Sequence, residues 1–462
     1  MHWNLVPSLQ LGKCVIGSSI RAILGLAFIS VSFQTAPLSA QSTTAEVVFR
    51  NVQVFNGTSE QVSDPTTVIV RGNTIAAIGL EAKPQSEDAT VIEGRGRTLI
   101  PGLIDNHVHM MFNSLSPAQM ASPDMGLEKI MQLSAVQAQA MLLRGFTAVR
   151  DVGGPSFELK RLIDSGKIKG PRIWPSGPMI SQTSGHADLR GPSEPSRRFS
   201  GKMSKAEEVW ASVIADGRDE VLTAVRENLR MGASQIKIAA GGGTSSEFDP
   251  LDVTQYTLDE MKAAVDAADD WNTYVTVHAY HPKSVRRAIQ AGVKVIEHGN
   301  LLDEETLKLM AEKGIWLSGQ MLVDSTEAMD PRRREKRKPV IEGQRIVWPM
   351  AKRLGVKLAW GTDFLFEPDL NPQQNAYILR LKPYFKPAEL LKLVTSQNAE
   401  LLALSGPRTP YEGKLGVVQE GALADLILVE GNPLTDIDLI GDPAKNFVVI
   451  MKDGVIVKGA QQ

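Results

Sequence analysis

The middle of the chain alternates between short apolar segments typical of β-strands and longer segments with helical periodicity. The strand-like segments span residues 99–107, 146–152, 172–175, 235–239, 274–278, 294–297, 315–319 and 357–360. Helical patterns separate them, for example at 127–143, 206–231, 258–270, 284–291 and 304–312. Strands that alternate with helices in this number favour a parallel sheet closed on itself. We therefore predict an α/β protein with a (β/α)8, TIM-type barrel over residues 99–405, whose active site lies at the C-terminal ends of the strands.

Both ends of the chain differ from this middle part and resemble each other. Residues 46–98 and the C-terminal tail contain short β-rich runs, broken by turn signals such as Asn56-Gly57 and Lys452-Asp453-Gly454. Neither end has enough strands for a stable sheet of its own. We therefore predict one small β-sandwich that is built from residues 45–98 and 406–462 together.

The N-terminus has the order of a secretory signal peptide. Lys13 and Arg21 precede an apolar stretch at residues 22–33, and small residues follow at Ala36, Ser39 and Ala40. An anchoring helix is the alternative, but it needs about 20 apolar residues and this stretch is shorter. We predict cleavage of residues 1–40, which would remove the sole cysteine, Cys14, and leave no disulfide or thiolate ligand. The mature chain would be periplasmic or secreted, without a stable membrane anchor.

The charge balance does not point to a polyanionic partner. The formal net charge of −2 gives no electrostatic reason to expect nucleic acid or an anionic membrane surface. One basic run, residues 332–338, favours a solvated loop and the start of a helix. With 43% hydrophobic and 22% charged residues, the composition is that of a soluble globular enzyme. The expected partner is a small-molecule or short-peptide substrate.

Histidine and aspartate residues follow the strand-like segments where a barrel presents its active site. His107 and His109 close the first segment, and residues two apart in an extended chain point the same way. His278, His298 and Asp363 follow the fifth, sixth and eighth segments. Any one of them alone is more often a structural polar residue, but five nitrogen and oxygen ligands at strand ends indicate a metal centre. Without thiolates, such a set suits zinc or another divalent first-row metal.

Lys237 is an unexpected residue in the fourth strand-like segment. It lies among Ile236, Ile238 and Ala239, directly before a run of three glycines. Burial of an isolated ammonium in such surroundings costs several kcal/mol. Either a salt bridge to a neighbouring carboxylate or conversion to a carbamate that bridges two cations would remove this cost, and the composition does not choose between them.

The whole set of motifs resembles the amidohydrolase superfamily. The resemblance rests on the run at residues 100–109, on the lysine and the later histidines in this order, and on Thr362-Asp363. It implies a (β/α)8 barrel with a β-sandwich from both termini and a site for two divalent metal ions. The implied ligands are His107, His109 and Asp363 for one ion, His278 and His298 for the other, and Lys237, as N6-carboxylysine, between the two. A hydroxide would also bridge the ions.

Within this superfamily the chain is most similar to the imidazolonepropionase-related branch. That branch includes Xaa-Pro dipeptidases, Xaa-Arg/Lys carboxypeptidases and ochratoxin-hydrolysing amidases. The similarity lies in residues 146–154, 184–188 and 296–299. Ser184 and Ala187 replace two glycines of the Gly-Gly-His-Gly motif that is frequent in the branch, so the substrate loop is expected to differ. Imidazolonepropionase itself is disfavoured, because the resemblance implies for that enzyme a site for one metal ion, without the bridging lysine.

The resemblance also implies catalytic roles. Asp363 would take a proton from the bridging water and deliver it to the leaving amine. His186, in the loop after the third segment, would hydrogen-bond the carbonyl or carboxylate of the substrate. Tyr280 and Arg190 are the candidates for binding a free α-carboxylate, and other arginines of the same loop as Arg190 are alternatives.

We therefore predict an exported, binuclear metal-dependent amidohydrolase that cleaves the amide bond before a C-terminal amino acid, as a dipeptidase or carboxypeptidase does. An aryl-amide or lactone hydrolase of the ochratoxin type is the alternative within catalysis. A non-catalytic binding scaffold is the alternative from another class, and the presence of all six metal positions counts against it. Members of the superfamily are often homo-oligomers, although no segment of the sequence indicates an interface.

Overall fold

The structure is a computed structural model that describes residues 45–246, 248–322 and 331–459. The predicted signal peptide at residues 1–40, with Cys14, lies outside the described residues. In the described part of the chain, no helix is both long enough and apolar enough to span a membrane.

The described strands and helices follow the predicted alternation. The strands are β1 (Glu46–Val54), β2 (Thr66–Arg71), β3 (Thr74–Ile78), β4 (Thr90–Glu93), β5 (Thr98–Pro101), β6 (Leu103–Val108), β7 (Phe146–Asp151), β8 (Arg172–Pro175), β9 (Met179–Ser181), β10 (Ser212–Ile214), β11 (Ile236–Ala239), β12 (Val275–Ala279), β13 (Val295–His298), β14 (Trp316–Gly319), β15 (Lys357–Trp360), β16 (Leu426–Val429), β17 (Phe447–Lys452) and β18 (Val455–Lys458). The helices are α1 (Pro117–Ala121), α2 (Leu127–Leu143), α3 (Phe157–Asp164), α4 (Arg197–Ser200), α5 (Lys205–Glu208), α6 (Arg218–Arg230), α7 (Leu258–Asp269), α8 (Pro282–Ala291), α9 (Glu304–Lys313), α10 (Pro331–Arg353), α11 (Gln374–Leu379), α12 (Pro387–Lys392), α13 (Asn398–Leu402) and α14 (Pro443–Asn446).

Strands from both ends of the chain pair in one sheet. Its order is β18-β17-β16-β5-β1-β2-β3, and β4 pairs with β1. The two ends meet where β5 runs antiparallel to β16, with Leu99 opposite Leu428. Phe49, Leu99, Leu428 and Met451 belong to the same buried apolar cluster. Because that cluster needs side chains from both ends, neither end has a complete core without the other.

Eight parallel strands, β6 to β8 and β11 to β15, form the barrel. They are hydrogen-bonded in two blocks, and the blocks meet at two places. The Ser234 amide donates to the Pro175 carbonyl at 2.7 Å, and the Asp363 amide donates to the His107 carbonyl at 2.8 Å. The (β/α)8 prediction is therefore confirmed, and the two short strands β9 and β10 lie in the same sheet as β11.

Local signals begin and end the barrel helices. Helix α7 begins with a capping box, in which the Thr257 side chain accepts from the Glu260 amide and the Glu260 carboxylate accepts from the Thr257 amide. Helix α9 is capped at its start by Asp303, whose carboxylate accepts from the Thr306 amide. It is capped at its end by Gly314 with φ +65°, a left-handed conformation that glycine adopts without a steric penalty.

The predicted first strand, residues 99–107, is two strands in two different sheets. Strand β5 belongs to the terminal sheet and β6 to the barrel. Gly102 separates them, and its amide donates to the Asp425 carbonyl at 2.8 Å. A Cβ at this position would lie 2.2 Å from Thr147 Oγ1, so only glycine fits there. A continuous apolar run does not reveal this change of partner, because both strands are buried.

The predicted helix over residues 206–231 is interrupted. Helix α5 ends at Glu208, the strand β10 follows, and helix α6 begins only at Arg218. Trp210 and Gly217 both adopt positive φ, +56° and +82°, which takes the chain out of the right-handed helical conformation. The strand β10 then pairs with β9, so tertiary pairing overrides the helical periodicity of this segment.

Candidate metal centre and substrate cleft

The predicted metal ligands meet at the C-terminal ends of the barrel strands, where such barrels carry their active sites. All six line one cleft of about 520 Å³, which includes its open mouth. The residues that line it are His107, His109, Met179, His186, Lys237, Thr244, Ser245, His278, Tyr280, His298, Leu322, Arg333, Arg337, Asp363, Leu365 and Glu367. The barrel thus brings together side chains that are up to 256 positions apart in the sequence, from His107 to Asp363. This is the arrangement that their predicted positions at the strand ends required.

His107 and His109 both direct Nε2 at one carboxylate oxygen. The Nε2 atoms lie 3.3 Å and 3.2 Å from Asp363 Oδ1. Their Nδ1 atoms are engaged elsewhere, at 2.8 Å from Glu297 Oε2 and 3.2 Å from the Gly153 carbonyl oxygen. In the neutral tautomer that donates from Nδ1, each Nε2 carries a lone pair that faces an acceptor oxygen. A cation between these three atoms would satisfy all of them.

His278 and His298 are oriented in a similar way. His278 Nε2 lies 3.1 Å from the Gly242 carbonyl oxygen, and His298 Nδ1 lies 2.6 Å from Gln320 Oε1. Donation to these oxygens leaves one ring nitrogen of each histidine with a lone pair. Burial lowers the pKa of both imidazoles well below the usual value, which favours the neutral form that binds metals.

Two residues of the centre have a left-handed backbone. His298 and Asp363 adopt positive φ values of +74° and +56°, a region that is uncommon for non-glycine residues and that histidine and aspartate enter more often than most. Gly361 lies against His107, because a Cβ there would be 2.4 Å from the His107 amide nitrogen. The close approach of these segments holds the carboxylate of Asp363 beside the two histidines of β6.

Lys237 is buried and has no ion-pair partner in contact among the residues that the structure describes. The residue is 1% exposed, and its amine makes no hydrogen bond with any of these residues. Burial lowers the pKa of its amine to about 8, although the carboxylates of Glu297 and Asp363 act in the opposite direction. Of the two explanations that the sequence left open, the salt bridge is therefore not found in the described structure.

Asp363 carries a charge at neutral pH. Burial raises the pKa of its carboxyl group, but the neighbouring imidazoles of His107, His109 and His298 outweigh burial and hold it well below its usual value. His107, His298 and Asp363 each have a ligand atom within 4.8 Å of the others. Nitrogen and oxygen donors in this number, without thiolates, fit zinc or a similar divalent metal.

Sequence reasoning missed the residue that supports His107. Glu297 is fully buried, and its Oε2 faces His107 Nδ1 while Arg150 Nη2 donates to its Oε1 at 2.6 Å. Burial raises the pKa of Glu297, but the Arg150 guanidinium and His107 hold it well below its usual value. A carboxylate behind a metal-binding histidine fixes its tautomer and orientation. The available signal was two charged residues inside apolar strands, at positions 150 and 297.

His186 lies in the cleft, as predicted, and packs against a predicted metal ligand. Its ring stacks on that of His278, with centroids 3.8 Å apart and planes inclined by 17°. His186 Nδ1 lies 3.0 Å from Asp249 Oδ2 and 2.6 Å from Ser246 Oγ. Its Nε2 lies 3.3 Å from Ser245 Oγ on the cleft side. Sequence reasoning did not single out Asp249.

Tyr280 also lines the cleft, at 5.1 Å between ring centroids from both His278 and His298. Burial raises the pKa of its phenol, so the hydroxyl keeps its proton and can donate. Arg190 lies elsewhere: it pairs with Asp188 at 2.5 Å and is not among the residues that line the cleft. Its assignment to substrate binding stays a prediction.

Two arginines of the basic run at residues 332–338 line the cleft, whereas Arg190 does not. Arg333 and Arg337 line it from helix α10. Arg337 is 4% exposed and pairs with Glu367 at 3.0 Å, and Arg333 Nε donates to the Thr244 carbonyl at 3.4 Å. The run does begin a helix, but the prediction of a solvated surface is wrong for Arg337. The periodicity of a helix turns some charges inward, which a run of like charges does not indicate.

Comparison with known proteins agrees with this arrangement. The profile of the Amidohydrolase family matches residues 98–460. The ochratoxinase of Aspergillus niger is 29% identical over 451 residues, which cover 93% of this chain and 91% of that protein. A solved prolidase complexed with N-methylphosphonate-L-proline is 32% identical, with a TM-score of 0.82, and the match covers 90% of this chain and 100% of that one. A Xaa-Pro dipeptidase with methionine bound in its active site is 30% identical, with a TM-score of 0.77 and the same shares of 90% and 100%. The chain therefore belongs to the amidohydrolase family and is a hydrolase that acts on amide bonds.

Proposed function

We propose that the protein is a binuclear metallo-dipeptidase or carboxypeptidase that cleaves the amide bond before a C-terminal amino acid. One observation carries this proposal: the cleft holds the predicted metal ligands together with two guanidinium groups, those of Arg333 and Arg337. A guanidinium is suited to bind a carboxylate through two hydrogen bonds. The similar structures with N-methylphosphonate-L-proline and with methionine hold ligands that carry such a carboxylate, which supports the same substrate class here.

The proposal assigns the metal ligands as the resemblance implies. His107, His109 and Asp363 would hold one divalent ion and His278 and His298 the other. Lys237 would bridge the two as N6-carboxylysine, because its neutral amine can react with carbon dioxide. The native ions in this proposal are zinc. When bound, two such ions lower the pKa of a shared water and polarise the carbonyl under attack.

Residues of the cleft would carry out proton transfer and substrate binding. Asp363 accepts a proton from the attacking water and delivers it to the nitrogen of the leaving amine. His186 and Tyr280 face the cleft close to His278 and can hydrogen-bond the carbonyl oxygen. Arg333 and Arg337 hold the α-carboxylate, and the apolar side chains of Met179, Leu322 and Leu365 form part of the wall beside them.

Export is part of the proposal. The basic, apolar and small-residue segments within residues 1–40 support a cleaved signal peptide and a periplasmic or secreted location. Detection of the mature N-terminus at Gln41 in protein from the culture medium or periplasm would support it. A chain that retains residues 1–40 in the cytoplasm would contradict it.

An ochratoxin-type amidase is the second candidate. The similarity to the Aspergillus niger ochratoxinase over 93% of the chain favours it. The two candidates share the metal chemistry and differ in the acyl group that the pocket accepts. A non-catalytic scaffold remains disfavoured, because the six predicted ligand positions are all occupied by ligand side chains that line one cleft.

A hydrolysis panel tests the proposal. The purified protein, supplied with zinc and bicarbonate, is offered dipeptides and N-acyl amino acids that end in Pro, Arg, Lys or Phe, each beside its C-terminal carboxamide. We expect cleavage of the free acids only. Cleavage of acids and carboxamides at equal rates, or cleavage of no member of the panel, would contradict the proposed substrate class.

A variant pair on one helix sharpens this test. Arg333→Gln removes a cleft guanidinium, whereas Arg332→Gln removes an exposed one that does not line the cleft. We expect Arg333→Gln to raise the KM for free acids by about tenfold or more, the typical cost of losing a charged hydrogen bond. Arg332→Gln is expected to leave the KM unchanged.

A further inference from the structure

Asp249 is a buried carboxylate at the edge of the cleft that the mechanism above does not use. It is 2% exposed and lies in the loop that follows β11. Its Oδ2 accepts from the Gly243 amide at 2.8 Å and lies 3.0 Å from His186 Nδ1. Its Oδ1 accepts from the Ser246 hydroxyl and lies 3.4 Å from Lys336 Nζ. Both oxygens are therefore bonded, and one of them holds His186.

The imidazole of His186 is confined from several sides. One face stacks on His278 at 3.8 Å between centroids. A Cβ on Gly243 would lie 1.8 Å from His186 Cε1, so the absence of a side chain at Gly243 makes room for the ring. The His186 amide donates to Gln255 Oε1 at 2.9 Å and holds the backbone. His186 Nδ1 contacts both Ser246 Oγ, at 2.6 Å, and Asp249 Oδ2, at 3.0 Å, and Asp249 also accepts from the Ser246 hydroxyl. The Asp249 carboxylate therefore holds the ring directly and through the serine that shares the same ring nitrogen.

We propose that Asp249 is the positioning residue of His186: its carboxylate fixes the imidazole in the stacked orientation, with Nε2 directed into the cleft. The inference rests on the proposed function in that it takes His186 as the group that contacts the scissile carbonyl. His186 stands beside the predicted metal ligand His278, on the side where the carbonyl would be polarised, whereas the α-carboxylate is assigned to Arg333 and Arg337. Loss of Asp249 should therefore lower kcat and leave KM nearly unchanged.

Asp249 also connects the loop after β11 with helix α10. Lys336 of this helix donates to the Ser246 carbonyl at 2.9 Å and lies within reach of Asp249 Oδ1. The same helix carries Arg333 and Arg337. The Asp249 carboxylate thus lies between helix α10, which would bind the substrate carboxylate, and His186, which would contact the substrate carbonyl. Its contact with His186, at 3.0 Å, is shorter than its contact with Lys336, at 3.4 Å.

A double-mutant cycle tests the inference. Asp249→Ala removes the contact, and Asp249→Asn retains an oxygen that can accept from His186 Nδ1. We expect Asp249→Ala to lower kcat by about tenfold or more with KM changed by less than about threefold, and Asp249→Asn to restore most of the loss. In a His186→Asn background, Asp249→Ala should cause no further loss. Asp252→Ala, an exposed aspartate of the same loop, is the matched control and should behave as the wild type.

Gly243→Ala gives an independent route if Asp249→Ala does not fold. Its Cβ would lie 1.8 Å from Cε1 and 2.0 Å from Nδ1 of His186 and would displace the imidazole, so kcat should fall as it does in His186→Asn. Equal losses from Asp249→Ala in the wild-type and His186→Asn backgrounds would overturn the inference. A fall in bound metal in Asp249→Ala would also overturn it, because the carboxylate would then act on the metal centre.

A crystallographic readout separates this inference from the proposed function. In metal-free crystals of Asp249→Ala, the His186 ring should leave its stacked position on His278, and in Asp249→Asn it should remain there. An unchanged ring in Asp249→Ala would overturn the inference. Failure of the wild-type protein to cleave any member of the panel would contradict the proposed function, while the ring orientation would still decide the role of Asp249.

Discussion

Arg150 and Glu297 form an ion pair that has no exposed surface, with Arg150 Nη2 at 2.6 Å from Glu297 Oε1. The pair joins strand β7 to strand β13, and the second oxygen of Glu297 faces His107 Nδ1 at 2.8 Å. Arg150 Nε also donates to the Asn106 carbonyl at 2.8 Å, one residue before that histidine. The two charges therefore hold both the backbone and the ring of the first predicted metal ligand.

Glu297→Gln should weaken both the fold and the metal centre. The amide leaves the Arg150 guanidinium buried without a counter-charge, which costs about 3–5 kcal/mol in the free energy of unfolding. It also weakens the support of His107, so zinc affinity should fall by about 10- to 100-fold. Chemical denaturation and zinc competition titrations measure the two effects. Glu158→Gln, which breaks an exposed pair with Arg161, is the control and should change neither. A Glu297→Gln protein as stable as the wild type would contradict this account of the pair.

Lys237→Ala should remove the proposed ligand that bridges the two metal ions. We expect the zinc content to fall from two ions to one or none per chain and nearly all activity to be lost. High bicarbonate should not restore it, because no amine remains to form the carbamate. Elemental analysis and hydrolysis rates provide the measurement, with Lys338→Ala on the exposed side of α10 as control. Retained activity with two bound ions would rule out Lys237 as the bridge.

Asp363→Asn should separate binding of the metal from turnover. The amide oxygen can still act as a ligand, but the side chain no longer accepts a proton from water. We expect kcat to fall by about 10²- to 10⁴-fold, the usual contribution of a positioned general base. Zinc analysis of the same sample verifies that metal is present. A rate near that of the wild type would remove Asp363 from the proton transfer.

Asp151→Asn should change how stability depends on pH. Burial raises the pKa of Asp151 from 3.8 to about 7, while its oxygens accept from Ser156 Oγ at 2.5 Å and from the Met110 amide at 3.0 Å. The folded protein thus holds this proton more tightly than the unfolded chain does. The stability that it contributes is complete below about pH 4 and is lost as the pH rises to about 7, by about 1.4 kcal/mol for each pH unit crossed.

The variant isolates this contribution because asparagine does not titrate, while its amide oxygen can accept from the Met110 amide and its amide nitrogen can donate to Ser156 Oγ. Denaturant unfolding of the two proteins from pH 4 to pH 8 should show the wild type losing stability relative to Asp151→Asn as the pH rises. Parallel stability curves over that range would show that Asp151 titrates in the folded protein as it does in the unfolded chain.

The sequence by itself determined the barrel and predicted which residues meet at one end of it. Alternating strand and helix patterns restrict the topology, because a parallel strand needs a crossover helix before the next one. Apolar strands whose last or next-to-last residue is His107, His278 or His298 then place those side chains at one end of the barrel. The split of residues 99–107 between two sheets was not predictable, because a buried apolar strand shows the same pattern whichever sheet it joins.

Only the tertiary structure decided which charged residues support the centre. Arg150 and Glu297 are 147 positions apart, and His186 and Asp249 are 63 apart. A charge in a sequence reveals that burial would be costly, but its partner depends on which strands and loops become neighbours. Arg337 looked solvated in a run of like charges and is buried, whereas Arg190 looked available and pairs with Asp188. Hydrophobic periodicity is a local property and can be read along the chain, while the compensation of a buried charge is a property of contacts that form only on folding.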